Sequence, residues 1–377
     1  MTNSIRIKCN TVMNNNQPAE TAKPISANTA DRPQFMSFQA RVPRVERRGN
    51  PVRPPLDTRH SPLRGPITCE PGSTITRRRF LAGAGASAIS LAVLNPQLGK
   101  AAAALAPTGK KVVVGGHPWV YAATQPNNDI TPVLPAIFED MSYAGLDGIE
   151  LMHTALRPND AVERIGELSR KHHLPVIGMS FVGAMWDRAR HQAVMEDAEL
   201  IIPRLAKLGG RTLGTSVGPA PKPKTEQQLD DQAELLRKLI ALCQRHGVVL
   251  NLHNHTYEVA DNLHDLRGTL ARIPEVKLGP DLNWLVRARV DPVWFIRQFG
   301  RQIVFMHLRD QNKDGRWSEA LGEGDTDFAA IGRALHDIGF EGDAVIELAH
   351  EKGFQPTRPL PETWKLSRNF VRRVLGY

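Results

Sequence analysis

The chain has 377 residues, of which 41% are hydrophobic, and a formal net charge of +9. Residues 1–106 contain 15 of the 48 Lys and Arg but only 5 of the 39 Asp and Glu, which leaves 33 against 34, a net charge of −1, in residues 107–377. This near-neutral remainder argues against nucleic acid as a partner. Cys243 is its one cysteine, which excludes a disulfide within residues 107–377.

Residues 1–70 are rich in Pro, Arg and Asn and show no apolar periodicity. A segment of this composition cannot bury a core, so we predict a disordered N-terminal extension. An export signal normally begins near the first residue, which makes Met36 an alternative start of translation.

Residues 71–106 have the three parts of an export signal. Arg77–Arg79 form a basic region, residues 82–94 are apolar and small, and Ala101–Ala106 offer small-residue cleavage sites. The arginine pair before Phe80 and Leu81 resembles a twin-arginine signal, which implies the twin-arginine export machinery as a partner and a periplasmic location. The apolar stretch is shorter than the ~20 residues that span a bilayer, and an uncleaved membrane anchor is the alternative.

Residues 107–377 have about the length of one (β/α)8 barrel, typically ~250 residues. Short β-branched runs alternate here with longer amphipathic segments, which predicts parallel strands separated by helices. The predicted strands are Val112–Gly116, Gly148–Met152, Pro175–Ser180, Arg211–Thr215, Val248–His253, Val276–Asp281, Ile303–Leu308 and Ala344–Leu348. The predicted helices are Asp160–His172, Gln192–Leu208, Glu226–His246, Leu263–Ile273, Pro292–Phe299, Phe328–Ile338 and Leu360–Leu375.

These elements predict an α/β fold, a single (β/α)8 TIM barrel, because eight strand–helix units suffice to close a sheet. The alternative is an open, doubly wound sheet. It is disfavoured because no glycine-rich phosphate fingerprint follows the first strand.

Four polar side chains each close an apolar run, about one βα unit apart: His253, Asp281, His307 and Glu347. Residues at the carboxyl ends of neighbouring barrel strands converge on one pocket. Imidazole and carboxylate groups bind divalent cations, so we predict a site for one ion: Mn, Zn, Co or Mg. Taken singly, Glu347 could pair with an arginine, His307 could bond to backbone, and Asp281 could cap a helix.

Further polar groups surround this series. His255 shares a strand face with His253, so one of the two binds the metal and the other contacts substrate. Glu150 closes the second strand and is predicted to act as a general base or to bind a sugar hydroxyl, with a structural carboxylate as the alternative. Arg309 is predicted to anchor a substrate oxygen or carboxylate, unless it pairs with Asp310 or Glu323.

Aromatic side chains are predicted to line the pocket. His117 and Trp119 follow the first strand, and with Trp186 and Trp284 they would form an apolar wall for a sugar ring, although lone tryptophans more often belong to a core. Two long loops, residues 181–190 and 311–327, lie after the third and seventh strands. Loops at that end of a barrel shape the substrate pocket.

At these residues the sequence resembles the sugar phosphate isomerase/epimerase superfamily of xylose-isomerase-like barrels, over roughly residues 112–375. The matching segments are Gly145–Glu150, Asp281 with Asn283, His307–Asp310, Leu321–Asp325 and Ile346–Glu347. The resemblance implies that His253, Asp281, His307 and Glu347 hold one divalent metal ion and that Asn283 contacts substrate. His253 stands where many members carry a glutamate that is also one of two acid/base groups, and a subgroup with a His-Asn-His fifth strand is closer to this chain.

The chemistry implied is proton abstraction next to the carbonyl of a sugar or keto-sugar, with the metal stabilising an enediolate. Glu347 or Glu150 would remove the proton and return it, to the neighbouring carbon in an isomerase and to the opposite face in an epimerase. A lyase or hydrolase on oxidised glycosides, an abasic-site nuclease-like barrel and a non-catalytic sugar-binding barrel are the alternatives. The nuclease has the least support because such enzymes need more ligands. The sequence leaves open whether the protein forms a homo-oligomer.

Overall fold

The computed structural model describes residues 112–377. The predicted disordered extension at residues 1–70 and the export signal at 71–106 therefore lie outside the described residues. Within residues 112–377, no helix is both long and apolar enough to cross a membrane.

Eight parallel strands form one sheet in the order β6-β5-β4-β3-β2-β1-β8-β7. Their bounds are β1 Val112–His117, β2 Gly148–Met152, β3 Val176–Val182, β4 Thr212–Ser216, β5 Val249–Leu252, β6 Lys277–Leu278, β7 Phe305–Leu308 and β8 Gly342–Glu347. β6 and β7 are joined by isolated parallel bridges, Leu278 with Ile303 and Asp281 with His307. The predicted (β/α)8 barrel is confirmed, and the open sheet is excluded.

Helices alternate with the strands and surround the sheet. Their bounds are α1 Trp119–Ala122, α2 Leu134–Tyr143, α3 Ala161–His172, α4 His191–Lys207, α5 Glu226–Arg245, α6 Thr256–Arg272, α7 Leu282–Arg287, α8 Pro292–Phe299, α9 Phe328–Asp337 and α10 Leu360–Val374. Short 3₁₀ turns cover Pro126–Asn128, Thr131–Val133, His153–Leu156 and Arg188–Arg190. The apolar pattern does not identify α1, α2 or α7. The helix predicted from Leu263 begins at Thr256 and is interrupted at residues 260–263, where three successive residues have positive φ.

α5 shows how local sequence sets these elements. Thr225 accepts a hydrogen bond from the backbone of Gln228, whose side chain bonds back to the Thr225 amide, a capping box that begins the helix. Leu229, Leu236 and other apolar residues at helical spacing form its buried face. Gly247, with a φ of +69°, follows the helix end.

Strand alternation sends successive side chains to opposite faces of the sheet. In β1, Val112 and Val114 belong to the large core between sheet and helices, whereas Val113 belongs to a small cluster with Ile177, Phe305 and Val345. That small cluster fills the barrel interior. Glu347, two positions after Val345, and His117, four positions after Val113, then reach the interior at its carboxyl end.

Candidate active site

His307, at the end of β7, is the centre of a buried polar cluster. Its Nε2 lies 2.6 Å from Glu150 Oε2, and since an ionised carboxylate only accepts, the ring nitrogen donates. Its Nδ1 lies 2.8 Å from Glu347 Oε2 and 3.9 Å from Asp281 Oδ2. Glu150 and Glu347 lie on β2 and β8, and Asp281 follows β6, so each contact connects His307 with a different strand. The structure therefore brings the predicted strand-end residues together.

The charges around His307 favour its protonated form. Burial opposes the imidazolium, but the carboxylates of Glu150 and Glu347 outweigh that penalty and raise the pKa of His307 to about 10. Glu150 is fully buried. A Cβ at Gly214 would lie 3.3 Å from Glu150 Oε1, so glycine leaves room for this carboxylate. Glu150 thus contacts the side of the His307 ring that faces away from Asp281 and Glu347. Its predicted catalytic role stays a prediction.

Asp281 follows β6 and has two separate environments for its two oxygens. Oδ1 accepts from the backbone amides of Asn283 and Trp284 at 2.8 and 3.1 Å, and so caps α7. Among the atoms of the described residues, Oδ2 is one of the buried ones without a hydrogen-bond partner. Burial raises the pKa of Asp281, against the opposing pull of Arg309. The helix-capping role and a position in the cluster are therefore compatible.

His253 follows the last residue of β5 and is partly exposed. Its Nδ1 is buried and, within residues 112–377, has no hydrogen-bond partner. Burial, together with His307 and His255, lowers the pKa of His253 well below its ordinary value, so the ring is neutral. One ligand atom each from His253, Asp281 and His307 lie within 4.8 Å of one another.

Glu347 ends β8 and forms an ion pair with Arg309 through Oε1 and Nη2. Arg309 Nη2 also lies 3.8 Å from Asp281 Oδ2. Although burial disfavours the charge, Arg309 with His117 and His307 keeps the pKa of Glu347 well below its usual range. The predicted alternative pairing of Arg309 with Asp310 or Glu323 is wrong. Asp310 accepts backbone amides, including those of Gly322 and Gly324, and Glu323 pairs with Arg358.

His255 is oriented by a chain of hydroxyl groups. Its Nδ1 lies 3.0 Å from the Tyr257 hydroxyl, which lies 3.0 Å from Ser216 Oγ. Ser216 donates to Glu258 Oε1 at 2.6 Å, and Glu258 Oε2 accepts the His255 amide at 2.7 Å. Nδ1 is therefore engaged within the protein, and Nε2 of this one-third exposed ring is the nitrogen left to meet a ligand.

The other predicted substrate contacts divide into two groups. His117 lies within the cluster, with Nε2 3.0 Å from Ser180 Oγ and Nδ1 3.6 Å from Glu347 Oε1. Trp119 packs on the core, and Trp186 donates to the Pro219 carbonyl at 3.1 Å. Neither tryptophan makes a described ring contact with the histidines, so an aromatic wall formed by these two is not seen within residues 112–377.

A different aromatic wall extends outward from His307. Its successive rings are His307, His253, His255, Trp284 and Trp317, with neighbouring centroids 4.9, 4.9, 5.6 and 6.0 Å apart. Trp284 is one of the predicted wall residues. The strand-end pattern does not identify Trp317, and the one signal for it is its place in the long loop after β7. Asn283 donates to Gln311 Oε1 at 2.9 Å and accepts the Trp317 indole N–H at 3.0 Å, and its contact with substrate stays a prediction.

The cluster fits a divalent cation. His253 Nδ1 and Asp281 Oδ2 are buried atoms that, within the described part of the chain, lack hydrogen-bond partners, and His307 Nδ1 lies beside them in its ion pair with Glu347. Two imidazoles and a carboxylate form a donor set that suits Zn or Mn. A carboxylate behind a ligating histidine is a recurrent outer-shell arrangement, and Glu150 has that position behind His307. Glu347, the fourth predicted ligand, is engaged by Arg309 in this structure.

Comparisons with known proteins agree with this architecture. The model of the "Xylose isomerase-like TIM barrel" family matches residues 138–374. No curated protein matches the sequence.

Several solved structures are similar, each with a TM-score of 0.56. A sugar phosphate isomerase/epimerase from Parabacteroides distasonis is 15% identical, covering 72% of this chain and 97% of its own. A D-allulose 3-epimerase from Methylomonas sp. is 17% identical, covering 70% and 98%. A 3-keto-D-glucoside 4-epimerase from E. coli is 18% identical, covering 70% and 99%. At these identities the likeness shows the fold.

Proposed function

The chain belongs to the xylose isomerase-like TIM barrel family, and on that premise we propose that it is a metal-dependent sugar isomerase or epimerase. It would act by moving a proton next to a carbonyl group. The observation that carries the proposal is the convergence of His253, Asp281 and His307 at the carboxyl ends of successive strands, with one ligand atom of each within 4.8 Å of the others. Two of the atoms there, His253 Nδ1 and Asp281 Oδ2, are buried without a hydrogen-bond partner among residues 112–377. Buried polar atoms without partners are unfavourable unless a ligand completes them.

His253, Asp281 and His307 would hold the metal ion, and His307, protonated without the ion, would release its Nδ1 proton on binding it. When bound, the ion supplies Lewis-acid polarisation of a carbonyl oxygen. The neutral state of His253 suits ligation, because a metal requires the free lone pair of an imidazole. Glu150 engages Nε2 of His307, which leaves Nδ1 on the side of Glu347 and Asp281.

Glu347 is the proton acceptor in this proposal. It is ionised, and it lies against both His307 and Arg309. A carboxylate with so low a pKa is a weak base. A substrate oxygen that took over the Arg309 guanidinium would remove the main cause of that low pKa and make Glu347 more basic. Arg309 would thus anchor substrate and, at the same step, release the base.

The chemical class of substrate is a sugar that carries a carbonyl group. The similar structures include epimerases of D-allulose, L-ribulose and a 3-keto-D-glucoside. All three names describe keto-sugars or a keto-glycoside, in which a proton next to a carbonyl can be exchanged. His255 Nε2 and Arg309 are the polar groups of this chain that would orient such a substrate.

Deuterium exchange tests the proposal directly. The purified chain, loaded with Mn, Zn or Co, is incubated in D2O with a panel of ketoses and 3-keto-glycosides, and C–H exchange is followed by NMR. We expect exchange next to the carbonyl of at least one sugar, abolished in Asp281→Asn. Formation of an isomeric sugar distinguishes this activity from a lyase, which would release the aglycone. If no metal binds the purified chain, the proposal fails.

The proposal includes export. The segment Arg77–Arg79 before an apolar stretch supports it. In a bacterial host with the twin-arginine machinery, we expect the chain in the periplasm and Arg78→Lys with Arg79→Lys in the cytoplasm. Export of that double variant at the normal level would contradict the twin-arginine route.

A further inference from the structure

Two tryptophans continue the aromatic wall beyond the predicted metal ligands. Trp284 and Trp317 stand edge to face, with centroids 6.0 Å apart and planes at 88°. Both are partly exposed, whereas Asp281, His307 and Glu347 are buried. The Arg309 guanidinium contacts both the tryptophan pair and the buried cluster. Its Cζ lies 5.6 Å from the Trp284 centroid and 5.1 Å from the Trp317 centroid, and its Nη2 pairs with Glu347.

Both rings are held in place by polar contacts of the protein itself. The Trp317 indole N–H donates to Asn283 Oδ1, and Asn283 is 1% exposed. Arg287 lies 4.2 Å from the Trp317 centroid and donates to the Gly315 carbonyl at 2.6 Å. Arg287 Cζ also lies 5.3 Å from the centroid of the Trp284 ring, and the backbone amide of Trp284 donates to Asp281 Oδ1. A ring that is already fixed loses little conformational entropy when a ligand packs on it.

The loop that carries Trp317 is folded back onto the barrel by one buried carboxylate. Asp310 accepts the amides of Gly322 and Gly324 at 2.9 Å each and that of Thr326 at 3.3 Å. A Cβ at Gly324 would lie 2.4 Å from Asp310 Oδ1, so this close approach requires glycine. The position of Trp317 above the cluster is therefore determined by contacts distinct from the predicted ligands.

We propose that Trp284 and Trp317 form a second subsite, which binds the part of the substrate beyond the reacting ring. The preferred substrate would then be a glycoside with a second ring on its anomeric oxygen rather than a free monosaccharide. This inference rests on the proposed function for the location of the reacting ring, over His253 and His255. The tryptophan pair follows His255 along the aromatic wall, with Trp284 5.6 Å from His255 and Trp317 a further 6.0 Å along.

The subsite binds by packing rather than by hydrogen bonds. The Trp317 indole N–H and the Asn283 amide are already engaged with each other, and Arg287 is engaged with Gln311, Gly315 and Glu351. Apolar faces of sugar and aryl rings both pack on indole rings. The subsite should therefore accept a second sugar or an aromatic group with similar affinity, while the first ring determines specificity.

Equilibrium binding to the metal-loaded full chain tests this, by calorimetry and tryptophan fluorescence. The probes are D-glucose, D-galactose, D-mannose and D-xylose, each compared with its phenyl glycoside. We expect at least one phenyl glycoside to bind about tenfold more tightly than its free sugar, since aromatic packing contributes about 0.5–1.5 kcal/mol beyond area. Trp317→Ala should remove most of that ratio, and Trp317→Phe should keep part of it.

Trp294→Ala is the matched control, because Trp294 is an exposed indole on α8. It should leave the ratio unchanged. Equal affinities for every sugar and its phenyl glycoside in the unaltered protein, or the same ratio in Trp317→Ala, would overturn the subsite. Failure of C–H exchange alongside a Trp317-dependent ratio would instead remove the proposed reaction and leave the subsite intact.

Discussion

Two buried clusters of charged residues in this barrel have opposite character. Between α5 and α6, Lys224 Nζ lies 2.5 Å from Asp265 Oδ2 and 2.7 Å from Gln232 Oε1, and Gln232 donates to Asp265 Oδ1 and Thr269 Oγ1 at 2.8 Å each. None of these atoms is among the unpartnered ones of residues 112–377. The cluster around His307 contains several that are.

This difference in hydrogen bonding indicates a structural role for the Lys224 cluster and a ligand-binding role for the His307 cluster. An unpaired buried polar group is unfavourable by about 1–3 kcal/mol, so a fully bonded cluster stabilises a single conformation. The atoms left over at Asp281 and His253 have no partner within residues 112–377, so a ligand can complete them. Both clusters are buried, and their hydrogen-bond partners distinguish them.

The largest effect is expected at the unpartnered oxygen of Asp281. Asp281→Asn keeps the Oδ1 that caps α7 but replaces Oδ2, so metal affinity should fall by more than about 100-fold, since even outer-shell changes lower it 10–100-fold. Isothermal titration with Zn or Mn measures this. Asp291→Asn, at the exposed cap of α8, is the control and should bind metal normally. Normal metal binding by Asp281→Asn would place the site elsewhere.

The bonded cluster should respond in stability instead. Lys224→Met leaves Asp265 buried without its cation, and the free energy of unfolding should fall by about 3–5 kcal/mol. Urea unfolding measures the change. Lys238→Met removes an exposed pair with Glu234 and should change stability by less than about 1 kcal/mol. Metal affinity should be unchanged in both, and a loss of it in folded Lys224→Met would end the distinction between the clusters.

An intermediate effect is expected at Glu150. Glu150→Gln keeps the side-chain length but removes the charge that fixes the His307 ring, so metal affinity should fall about 10–100-fold. The same titration, with the exposed Glu234→Gln as control, measures it. An unchanged affinity would show that Glu150 does not orient His307 for a ligand.

The smallest effect concerns the opposite end of the barrel interior. Burial raises the pKa of Asp343 to about 6, against Arg211 and Thr212. A raised carboxyl pKa stabilises the fold at low pH, and this contribution is lost as pH rises from about 4 through 6. Asp343→Asn should flatten that decline and gain about 1–2 kcal/mol at pH 7. The measurement is the free energy of unfolding of both proteins between pH 4 and 7. The same dependence on pH in Asp343→Asn as in the unaltered protein would contradict this prediction.

The barrel and the convergence of its strand ends follow from the sequence, because both depend on local periodicity. The strand and helix bounds agree within a few residues, except that α6 begins at Thr256 rather than at Leu263 and that Lys277–Leu278 alone pair as a strand in β6. α2 is not predicted from its apolar pattern, and it begins next to Pro135.

Partners that are distant in sequence do not follow from local pattern. Glu150 is recognisable as a strand-end carboxylate, but its bond to His307 joins residues 157 positions apart. The pairing of Arg309 with Glu347, the place of Trp317 and the Lys224–Asp265 bond each depend on how loops and helices pack. These contacts determine what each polar group does. The role of a site residue is therefore harder to predict from the sequence than its position at a strand end.

The closure of the barrel links ligand binding to global stability. β1 and β8 align over six residue pairs, whereas β6 meets β7 at isolated bridges, one of them between Asp281 and His307. A ligand bound by both Asp281 and His307 would connect β6 and β7 where the sheet has few hydrogen bonds. Its binding energy would then add to the free energy of unfolding through mass action. Amide hydrogens that cross the junction, those of Leu278 and Val304, would exchange with solvent more slowly in the ligand-bound protein.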